Sequence, residues 1–242
     1  MLTEPAFNAL LKTLEEPPAH AIFILATTDS HKVPDTILSR VQRFDFKRLN
    51  SKDIFEKLSL IAKAEKINIA KDALMLVASS GDGSLRDAES NFSKLLSYGS
   101  SEIDLKMTEE ILGLVPFAAV SEFVTLLASQ KQNETIQYIN GLYESGTDLE
   151  IFAKALIGHF RKLLIIKMSP SSPSSSGRVP AVLASFDEFN AEQTQLISSQ
   201  SQSFEPDSLV RLIGIFINAR EKMKYSPIPQ LPLELAVLEF TQ

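Results

Sequence analysis

Residues 21–28, with the sequence AIFILATT, place the strongest constraint on the fold of this chain. Residues 21–26 are all apolar, without polar alternation, and Ile and Phe predominate. Such a run predicts a strand buried on both faces, as in a parallel sheet covered by helices. Thr27 and Thr28 come where this strand would end, at the edge of an open α/β sheet where ligands bind. A hydroxyl there suits a functional role and a turn-capping role equally well.

The β content predicted from the sequence ends soon after this strand. Residues 43–46 (RFDF) alternate in polarity and predict a short edge strand, and from Ser51 onward the pattern is helical. Two strands do not make a complete sheet. We therefore expect the remaining strands to lie upstream of Met1, in a longer protein.

Helices are predicted over most of the rest of the chain, because apolar residues recur every three or four positions. The helix at 84–98, for example, follows a Gly-rich turn and is closed by Gly99. The predicted helices cover residues 3–16, 34–40, 51–66, 70–79, 84–98, 116–129, 131–144, 148–168, 190–202, 206–224 and 231–240.

The helical pattern divides the chain into three predicted domains. Residues 1–49 would end an α/β domain, residues 50–112 would form a small three-helix domain, and residues 113–242 would form a second all-helical domain. Residues 168–180 (MSPSSPSSSGRVP) are rich in Ser and Pro, so we expect a flexible loop there. The fold class predicted is mostly α.

The apolar positions of the helix at 206–224 suit a protein core and a subunit interface equally well. We take the core as the default for most of them, because burial of apolar side chains is the commoner reason for such a stripe. These positions are Leu209, Leu212, Ile213, Phe216 and Ile217.

The composition excludes several classes of protein. The formal net charge is −6, whereas a dedicated nucleic-acid-binding domain usually has a basic surplus. There is no cysteine, so disulfides and Cys-ligated zinc are excluded, and the three histidines lack metal-ligand spacing. We find neither a signal peptide nor an apolar stretch of about 20 residues. We therefore expect a soluble, cytoplasmic protein without a membrane partner.

One segment is basic in spite of the acidic total. Residues 32–52 contain six Lys or Arg residues and two Asp residues, a local net charge of +4. Such a segment suits either a face for the phosphates of DNA or of a partner's nucleotide, or a solvated surface. It has no aromatic stacking pattern, so base reading is not expected.

Three segments near the N-terminus follow one another in a specific order and spacing: LLKTLEEPP at 10–18, IFILATTD at 22–29 and VPDTILSR at 33–40. They resemble the end of the ATPase domain of AAA+ clamp-loader subunits, and above all the gamma/tau family of bacterial DNA polymerase III. The resemblance extends to GDGSLRDA at 81–88 and LPLELAVLEF at 231–240. The delta-prime family shares the Ser-Arg motif, but GSLRDA is more typical of gamma/tau.

The resemblance implies a fold and a function. It implies the C-terminal remnant of a RecA-like α/β AAA+ domain that begins after the Walker B motif, then a three-helix lid, then an all-α collar for oligomerisation. It also implies a DNA polymerase III clamp-loader subunit. In that complex, ATP binding and hydrolysis at subunit interfaces load the sliding clamp on primed DNA. The partners implied are delta, delta-prime and further gamma/tau subunits, the clamp and primed DNA.

The chain contains no GxxxxGKS or GxxxxGKT sequence, the loop that holds nucleotide phosphates and a magnesium-ligating hydroxyl. We therefore expect ATP and Mg²⁺ to be cofactors of a full-length protein and this chain alone to hydrolyse no ATP. The alternative is a non-hydrolysing structural subunit, delta-prime-like, or an assembly scaffold. Walker A and B motifs upstream would distinguish the two.

Three residues match functional positions of the family. Arg40 matches the arginine finger that reaches ATP on the neighbouring subunit, and its planar, always charged guanidinium suits phosphate oxygens. Thr28 matches sensor 1, with Thr27 as the adjacent alternative. Arg86 matches sensor 2, which contacts nucleotide in its own subunit. The family usually continues Ser-Arg with Cys, where this chain has Val41.

Each of these assignments competes with a structural explanation. Arg40 could be a surface cation or the partner of Asp35. Arg86 could form a surface ion pair with Glu89 or Asp82, which would contribute at most about 1 kcal/mol.

Overall fold

The computed structural model describes residues 2–99, 102–168 and 191–241. The mostly helical fold class is confirmed. After α1 (Glu4–Glu15), a single 3₁₀ turn at Ser30–Lys32 precedes α2 (Asp35–Leu38). The remaining helices are α3 (Ser51–Ala64), α4 (Lys71–Ser80), α5 (Leu85–Ser97), α6 (Leu105–Leu112), α7 (Phe117–Ala128), α8 (Gln132–Glu144), α9 (Leu149–Met168), α10 (Ala191–Gln202), α11 (Pro206–Met223) and α12 (Leu231–Thr241).

The two predicted strands are wrong for this chain. Residues 21–27 and 43–50 have no regular secondary structure, and the side chains of Ile22 and Ile24 are 90% and 86% exposed. A strand is stabilised by backbone hydrogen bonds to a neighbouring strand. Within the described ranges nothing pairs with either segment, and β pairing is limited to one isolated bridge between Ile69 and Ile103.

The chain divides into two compact units, Met1–Lys47 and Arg48–Gln242. In the first unit, α1 packs against α2, and its buried hydrophobic residues are Phe7 and Ile37. Pro34 stands at the N-cap of α2, where its fixed φ is compatible with a helix start.

The second unit contains two hydrophobic cores. Helices α3 to α6 enclose the first core, in which Ile54, Leu58 and Val77 are fully buried. Helix α6 is not among the predicted helices. It has eight residues, and Asp104 caps its start by accepting a hydrogen bond from the N–H of Met107 at 2.7 Å.

Helices α7 to α12 enclose the second and larger core. Its centre is aromatic: the ring of Phe123 lies edge-on to the rings of Phe152 and Phe216, with centroids 5.4 and 5.9 Å apart. The ring of Phe160 lies 5.6 Å from that of Phe216. The main packing partners of α11 are α9 and α12.

The predicted flexible loop at 168–180 lies outside the described residues except for Met168, the last residue of α9. No described helix is by itself long and apolar enough to cross a membrane. The pair α6 and α7 passes that test only when the two are joined, and they meet at a bend of 83°.

Candidate functional site

Arg40 is held by hydrogen bonds inside its own unit. Its Nε and Nη2 donate to Oε1 of Glu15 at 3.0 and 2.6 Å, and Nη1 donates to the carbonyl oxygen of Thr36 at 2.7 Å. The expected partner Asp35 is therefore not the one it uses. The side chains of Arg40 and Glu15 are 34% and 50% exposed, so the ion pair adds little stability. A phosphate that approached this guanidinium would have to replace the carboxylate of Glu15.

The two threonines after the predicted strand differ in what they bond. The hydroxyl oxygen of Thr27 accepts a hydrogen bond from the N–H of Asp29 at 3.0 Å, so Thr27 caps a local turn. Thr28 is exposed, and its hydroxyl makes no hydrogen bond to any described residue. The turn-capping explanation therefore applies to Thr27 and leaves the hydroxyl of Thr28 available.

Arg86 lies in the first turn of α5, which begins with a capping side chain. Oγ of Ser84 accepts a hydrogen bond from the N–H of Asp87 at 3.2 Å. The guanidinium of Arg86 is exposed and makes no hydrogen bond or ion pair with the described residues. Of its two expected partners, Asp82 instead accepts from Arg48 at 2.9 Å.

This arrangement fits an anionic ligand. The unsatisfied N–H groups and the dipole at the start of a helix favour negative charge, and Arg86 adds an unpaired guanidinium there, whose fork suits phosphate oxygens. Magnesium is a different case, because the described residues contain no cluster of three or more acidic or histidine side chains that could hold a metal ion.

The basic segment at 32–52 is largely neutralised by carboxylates. Besides the pairs of Arg40 and Arg48, Lys32 lies 3.2 Å from a carboxylate oxygen of Asp29, and Nε of Arg43 lies 2.8 Å from one of Asp45. Most of the carboxylates in these ion pairs lie outside residues 32–52. A count of the charges within the segment therefore leaves them out. These pairs favour the solvated-surface interpretation.

A cavity of about 430 Å³ opens between the two cores of the larger unit. Its lining includes both acidic and basic side chains, among them Glu109 and Lys154. Burial raises the pKa of Glu109, and the nearby charges of Asp72 and Glu110 raise it further. No sequence pattern predicts this cavity, because its lining comes from helices far apart in the chain.

A buried polar network at the edge of this cavity joins α7, α9 and α10. The imidazole Nε2 of His159 lies 2.8 Å from Oε1 of Gln200. Nε2 of Gln200 lies 2.8 Å from the carbonyl oxygen of Ser121 and 3.0 Å from Oγ1 of Thr125. Burial lowers the pKa of His159 to about 4, with a further lowering from the charge of Lys162 and an opposing contribution from the Gln200 hydrogen bond.

Three protein-family models match successive parts of the chain. Residues 1–50 match the DNA polymerase III delta subunit model. Residues 53–97 match the ATPase lid domain of the DNA polymerase III clamp loader subunit. Residues 103–242 match domain III of the DNA polymerase III subunits gamma and tau. Thr28 and Arg40 fall in the first match and Arg86 in the second.

Curated relatives match along the whole length of the chain. DNA polymerase III subunit tau of Bacillus subtilis is 34% identical over 242 residues, covering 100% of this chain and 41% of the relative. Subunit tau of Escherichia coli is 29% identical, covering 96% of this chain and 37% of the relative. DNA polymerase III subunit gamma of Buchnera aphidicola subsp. Acyrthosiphon pisum is 30% identical over 238 residues, covering 98% of this chain and 63% of the relative.

A solved structure, the Bacillus subtilis DNA clamp loader delta protein, is similar with a TM-score of 0.46 and 18% identity, covering 97% of this chain and 70% of that one. The chain spans less than two thirds of the length of the relatives described above. The match to domain III covers more than half of this chain. The chain therefore belongs to the family of DNA polymerase III gamma and tau subunits.

Proposed function

We propose that this chain is part of a clamp-loader subunit that uses ATP binding and hydrolysis at subunit interfaces to load the sliding clamp on primed DNA. Membership of the DNA polymerase III gamma and tau family supports the proposal that the chain works in a clamp-loader assembly. The observation that carries the nucleotide response is Arg86: an exposed, unpaired guanidinium in the first turn of a capped helix, within the residues that match the ATPase lid.

In this proposal Arg86 is the sensor that contacts ATP bound to its own subunit. Bound ATP supplies a polyanion whose γ-phosphate leaves on hydrolysis. A guanidinium that pairs with it in one state and loses it in the other makes the position of α5 depend on the nucleotide. The phosphate-binding loop and the magnesium ligands would come from outside this chain.

The proposed role of Arg40 is to reach ATP on the neighbouring subunit. Thr28, like Arg86, would act on ATP bound to its own subunit, where its hydroxyl orients the attacking water or contacts the γ-phosphate. A guanidinium aimed at the transferred phosphoryl group stabilises charge in the transition state. The contact with Glu15 suits a resting state, since a phosphate brings more negative charge than the one carboxylate it would displace.

The proposed domains follow the matches and the two cores. Residues 1–49 belong to the ATPase domain, residues 50–112 to the lid and residues 113–242 to the collar. The collar would assemble with delta, delta-prime and further gamma/tau subunits, and the complex would act on the clamp and primed DNA in the cytoplasm.

A second candidate is a non-hydrolysing structural subunit, delta-prime-like, or an assembly scaffold. The observation that favours it is the match of residues 1–50 to the delta subunit model. In such a subunit Arg40 would still serve its neighbour, while Arg86 would meet no nucleotide. The two candidates therefore differ in what Arg86 does.

The test is Arg86→Ala in the full-length protein, with the dissociation constant of ATP measured by titration. Loss of one charge-assisted contact to phosphate should raise the dissociation constant of ATP by about tenfold or more. The matched control is Lys94→Ala, which removes an exposed cation from the last turn of the same helix and should leave it unchanged. Equal effects of the two variants would contradict a contact with Arg86. No ATP binding by the unaltered full-length protein would establish the scaffold instead.

A further inference from the structure

The two residues before the N-cap of α3 lie against the turn that precedes α5. The backbone N–H of Leu49 donates to the carbonyl oxygen of Gly83 at 3.0 Å. Nη1 of Arg48 donates to the backbone carbonyl oxygen of Asp82 at 3.0 Å and to its carboxylate Oδ2 at 2.9 Å. We call this contact, between Arg48–Leu49 and the turn Gly81–Ser84, the linker clasp.

The linker clasp requires a glycine at residue 83. Gly83 has a φ of +81°, and a Cβ built on it would lie 2.8 Å from Cβ of Arg48 and 3.1 Å from the carbonyl oxygen of Leu49. A side chain would both strain the backbone and push these residues away. The side chains of Arg48 and Asp82 are 76% and 87% exposed, so their ion pair contributes little. The close backbone approach is what holds the clasp.

The same turn also fixes the start of the helix that carries Arg86. The N–H of Ser84 donates to the carbonyl oxygen of Gly81 at 2.8 Å, and a Cβ on Gly81 would lie 2.8 Å from Cβ of Ala88. One side of the turn thus packs on the first turn of α5, and the other packs on Arg48–Leu49. A displacement of either side is transmitted to the other through a turn of four residues.

We propose that the linker clasp is a positioning device for Arg86. Arg48 and Gly83 act as positioning residues: they touch no nucleotide, and they hold the first turn of α5 where the guanidinium of Arg86 meets phosphate. This inference rests on the proposed contact between Arg86 and ATP. Arg48 is the first residue of the unit Arg48–Gln242, so the chain enters that unit at the clasp.

The test is Gly83→Ala in the full-length protein, with binding of a non-hydrolysable ATP analogue measured by titration. Displacement of α5 should raise the dissociation constant by about fivefold. The matched control is Gly146→Ala, because Gly146 has a φ of +83° and nothing within 4 Å of a built Cβ. It has the same backbone strain without the collision and should bind the analogue normally.

A structural readout accompanies the titration. In the absence of nucleotide, the amide hydrogen of Leu49 should exchange faster in Gly83→Ala than in Gly146→Ala, because only the former breaks its bond to residue 83. Adding Arg48→Gly to Gly83→Ala removes the colliding Cβ and should restore part of the affinity.

A double-mutant cycle separates this inference from the proposed function. In an Arg86→Ala background, Gly83→Ala should cause no further loss of affinity, since the residue it positions is gone. A full additional loss, or normal affinity of Gly83→Ala alone, would overturn the clasp and leave the Arg86 contact standing. If Arg86→Ala itself has no effect, both are wrong.

A second variant keeps the test decisive if Gly83→Ala fails to fold. Arg48→Ala alters an exposed side chain, removes both hydrogen bonds to Asp82 and keeps the backbone bond of Leu49. It should raise the dissociation constant about twofold in the unaltered protein and not at all in the Arg86→Ala background. An equal rise in both backgrounds, as a long-range charge effect would give, contradicts the positioning role.

Discussion

At the scale of single residues, one carbonyl oxygen determines which groups donate and which accept in the buried hydrogen-bond network around His159. The carbonyl oxygen of Ser121 only accepts, so the side-chain amide of Gln200 must present its NH₂ group to it. Oε1 of Gln200 therefore faces His159, whose Nε2 must donate. The neutral imidazole can donate in this way from its Nε2–H tautomer, and burial favours the neutral form by lowering the pKa of His159 to about 4 against the opposing contribution of the Gln200 hydrogen bond.

The network makes stability depend on pH. Between the unfolded pKa of about 6.5 and the folded value, the unfolded chain binds more protons than the folded one, so stability falls as pH falls. Lowering the pH from about 7.5 to about 5 should cost roughly 2 kcal/mol through this one group. His159→Gln retains a donor for Gln200 and should lose that part of the pH dependence in urea denaturation.

The control for this prediction is His20→Gln, which alters an exposed histidine and should retain the full pH dependence. If the difference in the free energy of unfolding between the two pH values is the same in His159→Gln as in the unaltered protein, folding does not lower the pKa of His159.

The sequence could indicate which charged residues to consider for the site, but not which residues they form ion pairs with. The guanidinium of Arg40 pairs with Glu15, 25 positions earlier, rather than with the nearby Asp35. Asp82, expected beside Arg86, is taken by Arg48, which lies 34 positions earlier. A long basic side chain can pair with any carboxylate that the fold brings near it, whereas sequence spacing predicts only partners within about one helical turn.

At the scale of secondary-structure elements, the helices were predictable and the strands were not. A helix satisfies its backbone hydrogen bonds internally, so its apolar period is enough to predict it. A strand needs a partner, and the apolar run at 21–26 gives no information about whether one is present. The missed helix α6 has only eight residues, too few for a clear period.

The stripe on α11 shows how packing divides residues that look alike in sequence. Leu209, Leu212 and Phe216 are fully buried, whereas Ile217 is 42% exposed. Phe216→Ala should lower the free energy of unfolding by about 3–5 kcal/mol, because it leaves a cavity among the rings of Phe123 and Phe160.

Ile217→Ala, on the adjacent position of the same helix, is the control and should change the free energy of unfolding by less than about 1 kcal/mol. Chemical denaturation measures both. Similar losses in the two variants would mean that the exposed face of α11 is also buried, as a subunit interface in solution would bury it.

At the scale of the whole molecule, the proposed site residues lie in separate units. Thr28 and Arg40 belong to Met1–Lys47, and Arg86 belongs to Arg48–Gln242. In the proposed roles, Arg40 would act on ATP of the neighbouring subunit, so it needs no pocket shared with Arg86. Thr28 and Arg86 would act on ATP whose phosphate-binding loop lies outside this chain, so neither needs a pocket formed by this chain alone.

The proposed role of Arg40 in trans predicts a defect at the neighbour. In mixed assemblies of full-length subunits, Arg40→Ala should leave ATP affinity unchanged and slow hydrolysis in the adjacent subunit's site by roughly 100-fold or more. Single-turnover hydrolysis measures this when only one subunit type carries an intact ATP site. Arg43→Ala, which removes another exposed arginine, is the control. A defect confined to the variant's own site would exclude the trans role.

The uncovered apolar segment at residues 21–25 has a practical consequence for anyone who purifies this polypeptide alone. Ile22 and Ile24 face solvent from a stretch without regular structure, and its backbone N–H and C=O groups are not paired in a sheet. Short apolar stretches of high β propensity, with no charge and no proline, are templates for pairing between chains. Concentrated samples should therefore aggregate through this segment, and Ile24→Asp should keep them in solution longer.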